Sequence, residues 1–285
     1  MSLIDTNNKL EEKLKTLKSE ELIGLDTEFV RQKTYFAKLC LIQISTPREY
    51  FAIDPLMLDI SPLKEILESK NIMKIIHDPN QDLSIFYHKL GIITNNVFDT
   101  QEAARLSKIK NQISYREICE KILNVKIDKN QKFRDWAVRP LPKDMIDYAL
   151  QDVKYLIPIY HKLKQTLRGA AATKEFRERM EEFSQKSFYI NPIELAWKKI
   201  RIENIDEKFQ NRLKAIATFR EISAMKMDIP RKYFLSDEDI LKIINKLPIN
   251  YKEISELKLR KKIKPKFLEE LFNISEGIKS NEEKK

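Results

Sequence analysis

Residues 21–29 read ELIGLDTEF, and this stretch predicts the core of a sheet. The apolar run at its start is typical of a buried β-strand, and the acidic residues Asp26 and Glu28 follow directly after it. Alternate residues of a strand share one face, so we expect these two carboxylates to project together. An acidic pair that follows so apolar a run indicates a functional site rather than an ordinary surface turn.

Working outward, residues 39–45 (LCLIQIS) and 50–53 predict two more strands, which form an antiparallel meander with the first. After them, strands and helices alternate, as in a parallel extension of the sheet. The further elements predicted in this half are strands at 72–76 and 97–98, and helices at 63–69, 79–90, 100–106, 114–123 and 143 to about 163. We therefore expect an α/β fold with a mixed sheet and flanking helices.

The second half predicts helices and no strand. Residues 169–186 are helix-rich and charged, and Asn191-Pro192 should interrupt any continuing helix, so we place a domain boundary near there. Five short amphipathic helices are predicted after it, at 194–202, 209–226, 236–246, 251–257 and 265–272. We divide the chain into an α/β domain (1–168), a helical linker (169–202) and a small helical domain (203–285) that ends in a disordered Lys-rich tail from Lys279 to Lys285.

The composition excludes several classes of site. Three His leave little material for a His-based zinc site or catalytic triad, and four Gly are too few for a glycine-rich phosphate loop. Cys40 and Cys119 lie in apolar stretches without CxxC spacing, which indicates reduced core thiols. No apolar run is long enough to span a membrane, so we expect a soluble cytoplasmic protein.

The net charge of +10 is unevenly distributed. Residues 1–160 hold 24 Lys and Arg against 23 Asp and Glu, whereas residues 161–285 hold 29 against 20. This asymmetry favours a polyanionic partner, although a Lys-rich proteome would produce it too. The basic run over residues 258–266 is a candidate phosphate-contact surface, and its alternative is a solvated face.

Further acidic candidates lie in two predicted helices. Asp78 before Pro79 has the pattern of a helix N-cap and is the more structural residue, whereas Asp82 falls at the end of the first helical turn and is the better ligand candidate. Tyr148 and Asp152 are four residues apart, so they share one helix face. Each signal alone also fits ordinary core or surface residues.

With these acids in this order, the chain resembles the DEDD exonuclease superfamily in its tyrosine-bearing branch, the ribonuclease D family. The resemblance rests on LDTEF (25–29), HDPNQDL (77–83), DWAVRPL (135–141) and YALQDV (148–153). It covers roughly residues 5–165, and the helical part is similar to the helicase-and-RNase-D C-terminal (HRDC) domain. The best-known ribonuclease D proteins carry two such helical modules, whereas this chain has room for one.

The resemblance implies a ribonuclease-H-like fold and two divalent ions, Mg²⁺ or Mn²⁺, bound by carboxylates. It implies that Asp26 bridges both ions, that Glu28 and Asp152 bind one, and that Asp82 serves the other through water. Such ions can clamp the attacking and leaving oxygens of a phosphodiester and lower the pKa of a bound water. Because a phenol is a poor base at neutral pH, we expect Tyr148 to orient that water.

The same resemblance implies 3′-to-5′ hydrolysis of RNA with release of nucleoside 5′-monophosphates. We expect tRNA precursors as substrates and no obligate protein partner. Phe29 is a candidate for stacking on a terminal base or else a core aromatic, and Arg139 is a candidate phosphate contact. Two alternatives stay open, a 3′-5′ DNA exonuclease and a non-catalytic RNA-binding protein, and the complete set of acids argues against the second.

Overall fold

The computed structural model describes residues 3–127, 135–190, 193–200, 202 and 206–283. The chain forms two compact units, the first made of Met1–Val30 and Ala37–Ile190, the second of Arg31–Phe36 and Asn191–Lys285. The interruption expected at Asn191-Pro192 lies outside the described residues, and the three-segment division stays a prediction. Among the helices described, none combines the length and the apolar character that a membrane span needs.

The first unit is built on a six-stranded mixed sheet. Its strands are β1 (Leu3–Ile4), β2 (Leu22–Val30), β3 (Lys38–Ser45), β4 (Tyr50–Ile53), β5 (Met73–Ile76) and β6 (Val97–Asp99). Their order across the sheet is β1-β4-β3-β2-β5-β6. Strands β2, β3 and β4 pair antiparallel, while β5 joins β2 and β6 joins β5 in parallel. The predicted meander, its parallel extension and the α/β class are confirmed.

Nine helices described in this unit flank the sheet. They are α1 (Asn7–Leu17), α2 (Lys64–Glu68), α3 (Asn80–Leu90), α4 (Thr100–Leu106), α5 (Tyr115–Leu123), α6 (Lys143–Lys154), α7 (Leu156–Thr166), α8 (Ala170–Glu182) and α9 (Lys186–Tyr189), and a 3₁₀ turn at Ser61–Leu63 precedes α2. Helices pack on both sides of the central strands, so β3 is buried from Leu39 through Ser45. This explains the nearly continuous apolar character of that strand.

The N-terminal elements β1 and α1 were not predicted. The segment that forms α1 is mostly polar or charged, but Leu10, Leu14 and Leu17 recur at helical spacing and are buried in the main core of the unit. Three leucines along one face are enough to anchor this amphipathic helix, and its other faces stay in solvent.

The long helix expected from residue 143 to about 163 is wrong, because the structure has two helices there. Helix α6 ends at Lys154, Tyr155 leaves the helical conformation with φ −109° and ψ 2°, and α7 begins at Leu156. Pro158 supplies the reason: it lacks an N–H, and its ring would collide with the carbonyl of Lys154 in a continuous helix.

The second unit is helical in its described part. A 3₁₀ segment (Ile193–Lys199) precedes α10 (Glu207–Met227), α11 (Arg231–Phe234), α12 (Asp237–Lys246), α13 (Tyr251–Glu256) and α14 (Pro265–Glu283). Its apolar core is contributed chiefly by α10, α12 and α14. The short α11 was not predicted, and the first expected helix is a 3₁₀ segment instead.

The tail expected to be disordered from Lys279 is partly helical. Helix α14 continues through Glu283, and only the last two residues lie outside the described part of the chain. An ion pair with a basic residue of α10 supports this end, because Arg212 donates 2.6 and 2.5 Å hydrogen bonds to Glu282. One charged residue of this tail, Glu282, is thus used in pairing between helices.

Candidate active site

Strand β2 extends beyond the end of its parallel neighbour β5. The β2–β5 pairing runs from Leu22 to Gly24, whereas the pairing with β3 continues to Val30. The acidic residues Asp26 and Glu28 therefore lie past the carboxyl end of β5. The edges left by ending parallel strands are where α/β sheets place their ligands.

Asp82 reaches this edge from the first turn of α3. It is 6% exposed, and its carboxylate accepts a short hydrogen bond from the Thr27 hydroxyl. Burial raises its pKa to about 7, while the Thr27 hydrogen bond acts in the opposite direction. The helix begins at Asn80 with Pro79 at its N-cap position and no side-chain cap hydrogen bond, so the expected N-cap role of Asp78 is wrong. Asp78 has φ +57° and accepts a hydrogen bond from Asn80 instead.

Helix α6 carries Tyr148 and Asp152. Its buried face (Met145, Ile146, Ala149, Leu150, Val153) packs on the central strands, which leaves these two residues half-buried. The ring of Tyr148 lies 6.3 Å from that of Trp136, centroid to centroid. The end of α6 is held close to the sheet, because the Ser45 hydroxyl donates to the Val153 carbonyl at 2.8 Å. At Gly24 a Cβ would collide with Ser45 and press on Leu156, so only glycine permits this approach.

The carboxylate of Asp26 interacts with those of Glu28, Asp82 and Asp152. Dense protein surroundings raise the pKa of Asp26 well above its ordinary value, and the negative charges of the other three raise it further. The fold thus brings carboxylates of β2, α3 and α6, which are far apart in the sequence, to one place. Such a cluster of like charges is stable only when it binds protons or cations.

The donor set fits a divalent cation, since carboxylate oxygens are the ligands that Mg²⁺ and Mn²⁺ prefer. The half-buried Asp152 has one oxygen, Oδ1, buried within the cluster. Across the residues described, no three His, Cys, Asp or Glu side chains are already arranged as a ligand set.

Arg139 is not available to a phosphate in this structure. Its five N–H donors are all used, in bonds of 2.5 and 2.7 Å to Asp54 and in bonds to the carbonyls of Cys40, Trp136 and Val138. Asp54 is almost fully buried, so the pair clamps the segment before α6 to the end of β4. We correct the expected phosphate contact to a structural ion pair. Asp54 precedes Pro55, a pattern typical of a turn, so the sequence near it gives no sign of this ion pair.

The aromatic candidate Phe29 and the nearby Tyr35 both lie in packed surroundings. Phe29 is partly buried and packs against the main core of the first unit. Tyr35, within the second unit, donates a 2.6 Å hydrogen bond to Glu221. Stacking of Phe29 on a base stays a prediction, and its packing supports the core alternative.

The chain is similar to known nucleases. Residues 1–168 match the 3′-5′ exonuclease family. Ribonuclease D of Zymomonas mobilis is 38% identical over 227 residues, which cover 79% of this chain and 58% of that protein. Ribonuclease D of Bartonella henselae is 32% identical over 269 residues, which cover 94% and 66%. The chain spans about three fifths of the length of these curated relatives.

Solved structures agree. The crystal structure of Escherichia coli RNase D, described as an exoribonuclease involved in structured RNA processing, matches with a TM-score of 0.81 and 27% identity over 98% of this chain and 75% of that one. Brucella melitensis NrnC with bound Mg²⁺ matches with a TM-score of 0.54 and 25% identity over 66% and 92%. Both the sheet and the helices beyond residue 168 are thus covered by the first of these matches.

Proposed function

This chain belongs to the 3′-5′ exonuclease family and is a relative of ribonuclease D, and from that premise we propose that it is a 3′-to-5′ exoribonuclease. Its products would be nucleoside 5′-monophosphates. The observation that carries the proposal is the convergence of four carboxylates from β2, α3 and α6, in which Asp26 is repelled by the other three. Converging carboxylates of this kind can bind cations, and the bound cations can in turn bind phosphate.

The residues Asp26, Glu28, Asp82 and Asp152 would hold two divalent ions, Mg²⁺ or Mn²⁺. Asp26 would be the ligand that the two ions share, Glu28 and Asp152 would help to hold one of them, and Asp82 would help to hold the other. When bound, the ions supply a water of lowered pKa and compensate charge on the attacking and leaving oxygens. The Thr27 hydroxyl keeps the Asp82 carboxylate directed at this edge of the sheet.

Tyr148 would orient the attacking water. It shares one face of α6 with Asp152, and the aromatic ring of Trp136 packs beside it. The helix itself is positioned by its apolar face and by the clamp of Arg139 on Asp54. A rigid helix that presents hydroxyl and carboxylate together meets the geometric demand of in-line attack on a phosphodiester.

We propose that the second unit is an HRDC-like domain and contacts RNA through the exposed basic run of residues 258–266. Its lysines are exposed, while Ile263 is buried and anchors the run. Lys261 lies 4.5 Å above the ring of Tyr233, which is itself half exposed. Cations beside an exposed aromatic ring are suited to a nucleic-acid backbone and its bases.

Precursors of tRNA are the substrates we propose. We place the protein in the cytoplasm, where the buried free thiols Cys40 and Cys119 would stay reduced.

The proposal is tested by incubating RNA oligomers labelled at the 3′ or the 5′ end with Mg²⁺ or Mn²⁺. We expect the 3′ label to be released as a mononucleotide from the first turnover, while the 5′-labelled strand shortens stepwise. Asp26→Asn should abolish both signals. Asp147→Asn, an exposed neighbour of Tyr148 on α6, is the matched control and should keep full activity.

A DNA oligomer of the same sequence is run in parallel. If DNA were degraded faster than RNA, the proposed substrate would be DNA and not RNA. Binding of RNA without shortening under either metal would refute the catalytic assignment and leave an RNA-binding protein.

A further inference from the structure

A buried amide without a partner lies in the middle of the sheet. Gln43, in β3, has no exposed surface, and neither its side-chain oxygen nor its nitrogen has a hydrogen-bond partner among the described residues. Leaving such a group unsatisfied is unfavourable, and an apolar residue of the same size would avoid that cost. The residues on either side of Gln43 in the strand, Ile42 and Ile44, are both apolar.

The strand register places Gln43 directly opposite Asp26. The pair Asp26 and Gln43 belongs to the antiparallel ladder of β2 and β3. Side chains of directly opposite residues point to the same face, with Cβ atoms about 4.5 to 5.5 Å apart. The amide of Gln43 is therefore within reach of the Asp26 carboxylate, which lies on the same face.

This face is covered by α6 rather than by solvent. Ser45, two residues after Gln43 and on the same face, donates its hydroxyl to Val153 of α6. Gln43 thus lies in the layer between the sheet and the helix that carries Tyr148 and Asp152. The other polar residue of this strand face is satisfied by the helix, whereas Gln43 is left facing Asp26.

We propose that Gln43 is a positioning residue for the metal-binding carboxylate of Asp26. When Asp26 rotates to bind a cation, the carboxamide NH₂ donates a hydrogen bond to it and holds the rotamer. An amide suits this role because it offers two N–H donors and no charge, so it adds nothing to the repulsion among the carboxylates. The inference rests on the proposed function, in which Asp26 is a metal ligand.

The test is Mn²⁺ binding to RNA-free protein, followed by electron paramagnetic resonance. Gln43→Met keeps the length of the side chain and removes the donors. We expect about tenfold weaker Mn²⁺ binding, as is typical when a hydrogen-bond partner of a metal ligand is lost. The metal-free variant should unfold at the same temperature as wild type or higher, because an unsatisfied amide has been removed.

Thr94→Val is the matched control. The Thr94 hydroxyl is also buried and without a partner among the described residues, but it precedes β6 at the opposite end of the sheet. Its replacement should leave Mn²⁺ binding unchanged. In RNA hydrolysis, Gln43→Met should raise the Mn²⁺ concentration for half-maximal rate about tenfold, with kcat largely restored at saturating metal.

Unchanged Mn²⁺ affinity in Gln43→Met would overturn the inference. Loss of the metal-free fold in both Gln43→Met and Gln43→Leu would overturn it as well, since the amide would then serve the fold. Asp26→Asn separates the two proposals. If that variant binds Mn²⁺ as wild type does, the proposed metal site fails, whereas loss of binding in Asp26→Asn alone refutes only the role of Gln43.

Discussion

The hydroxyl of Thr27 on β2 donates a hydrogen bond to the carboxylate of Asp82 on α3, and this bond joins residues 55 positions apart in the sequence. It fixes the first turn of α3 against the overhanging end of β2. Both groups are buried, so the bond is shielded from competing water.

Thr27→Val should therefore damage the site while the side chain keeps its shape. We expect a loss of about 1 to 3 kcal/mol in the free energy of unfolding, because Asp82 stays buried and loses its hydroxyl donor. Hydrolysis of RNA should slow about tenfold, which corresponds to 1.4 kcal/mol. Urea unfolding and single-turnover assays measure the two effects. Thr27→Ser, which retains the hydroxyl, should stay close to wild type in both.

Asp26→Asn should stabilise the metal-free protein. Burial and the charges of Asp82, Asp152 and Glu28 oppose ionisation of Asp26, and a neutral amide of equal size removes that repulsion. We expect a gain of about 1 kcal/mol in EDTA, shown by a higher Tm, together with loss of the stabilisation that Mg²⁺ gives to wild type. Asp147→Asn should change neither quantity. A lower Tm for Asp26→Asn in EDTA would contradict the repulsion.

Tyr148→Phe separates the phenol hydroxyl from the ring. The ring packs near Trp136, and phenylalanine preserves that contact. We expect kcat to fall about tenfold to a hundredfold, at or below the 10²–10⁴ range typical of a general acid or base, because we assign the hydroxyl only an orienting role. The dissociation constant for RNA should not change. If the pH profile of kcat showed an inflection in wild type that is absent from Tyr148→Phe, Tyr148 would instead be identified as a proton-transfer group.

Arg139→Lys should destabilise the first unit. Lysine cannot reproduce the two parallel bonds to the nearly buried Asp54 or the bonds to three carbonyls. Breaking a buried pair typically costs about 3 to 5 kcal/mol, and we expect about 3 here because lysine retains the charge. Urea unfolding gives the number. If the variant kept its stability and bound RNA more weakly, the original assignment of Arg139 to a phosphate would be restored.

Lys74 on β5 predicts a pH dependence of stability. Burial lowers its pKa to about 7, although its ammonium donates to the carbonyls of Ser69 and Ile72. Between pH 7 and the ordinary lysine value near 10.4, the unfolded chain binds a proton that the folded chain does not, so stability should rise with pH. Below pH 7 Lys74 is protonated in both the folded and the unfolded state, so its contribution to stability no longer varies with pH.

Lys74→Met tests that prediction by removing the titrating group. The stability of wild type relative to Lys74→Met should increase from pH 7 to pH 10 in urea unfolding. The exposed lysine of α5 offers a control, since Lys121→Met should give a difference that does not vary with pH. A flat difference for Lys74→Met would mean that its two carbonyl bonds keep the ammonium charged in the fold.

The sequence determined the local elements and the motifs of this protein. The apolar period of residues 21–53 predicted three strands, and the order of Asp26, Asp82 and Asp152 predicted the family. The missed features of this kind also had local signals, namely the leucine stripe of α1 and Pro158 in the first turn of α7. These could be read because a backbone conformation depends on residues within one or two turns.

Only the tertiary structure decided which remote groups meet. Nothing in the residues near Arg139 indicates Asp54 as the acceptor of its guanidinium, and nothing near Gln43 marks it as the partner of Asp26. A strand shifted by one residue would turn Gln43 to the other face, so this pairing depends on the register of the whole sheet. Register and ion pairing are set by packing of the complete core, in which each contact is selected together with all the others, and a linear pattern does not contain that information.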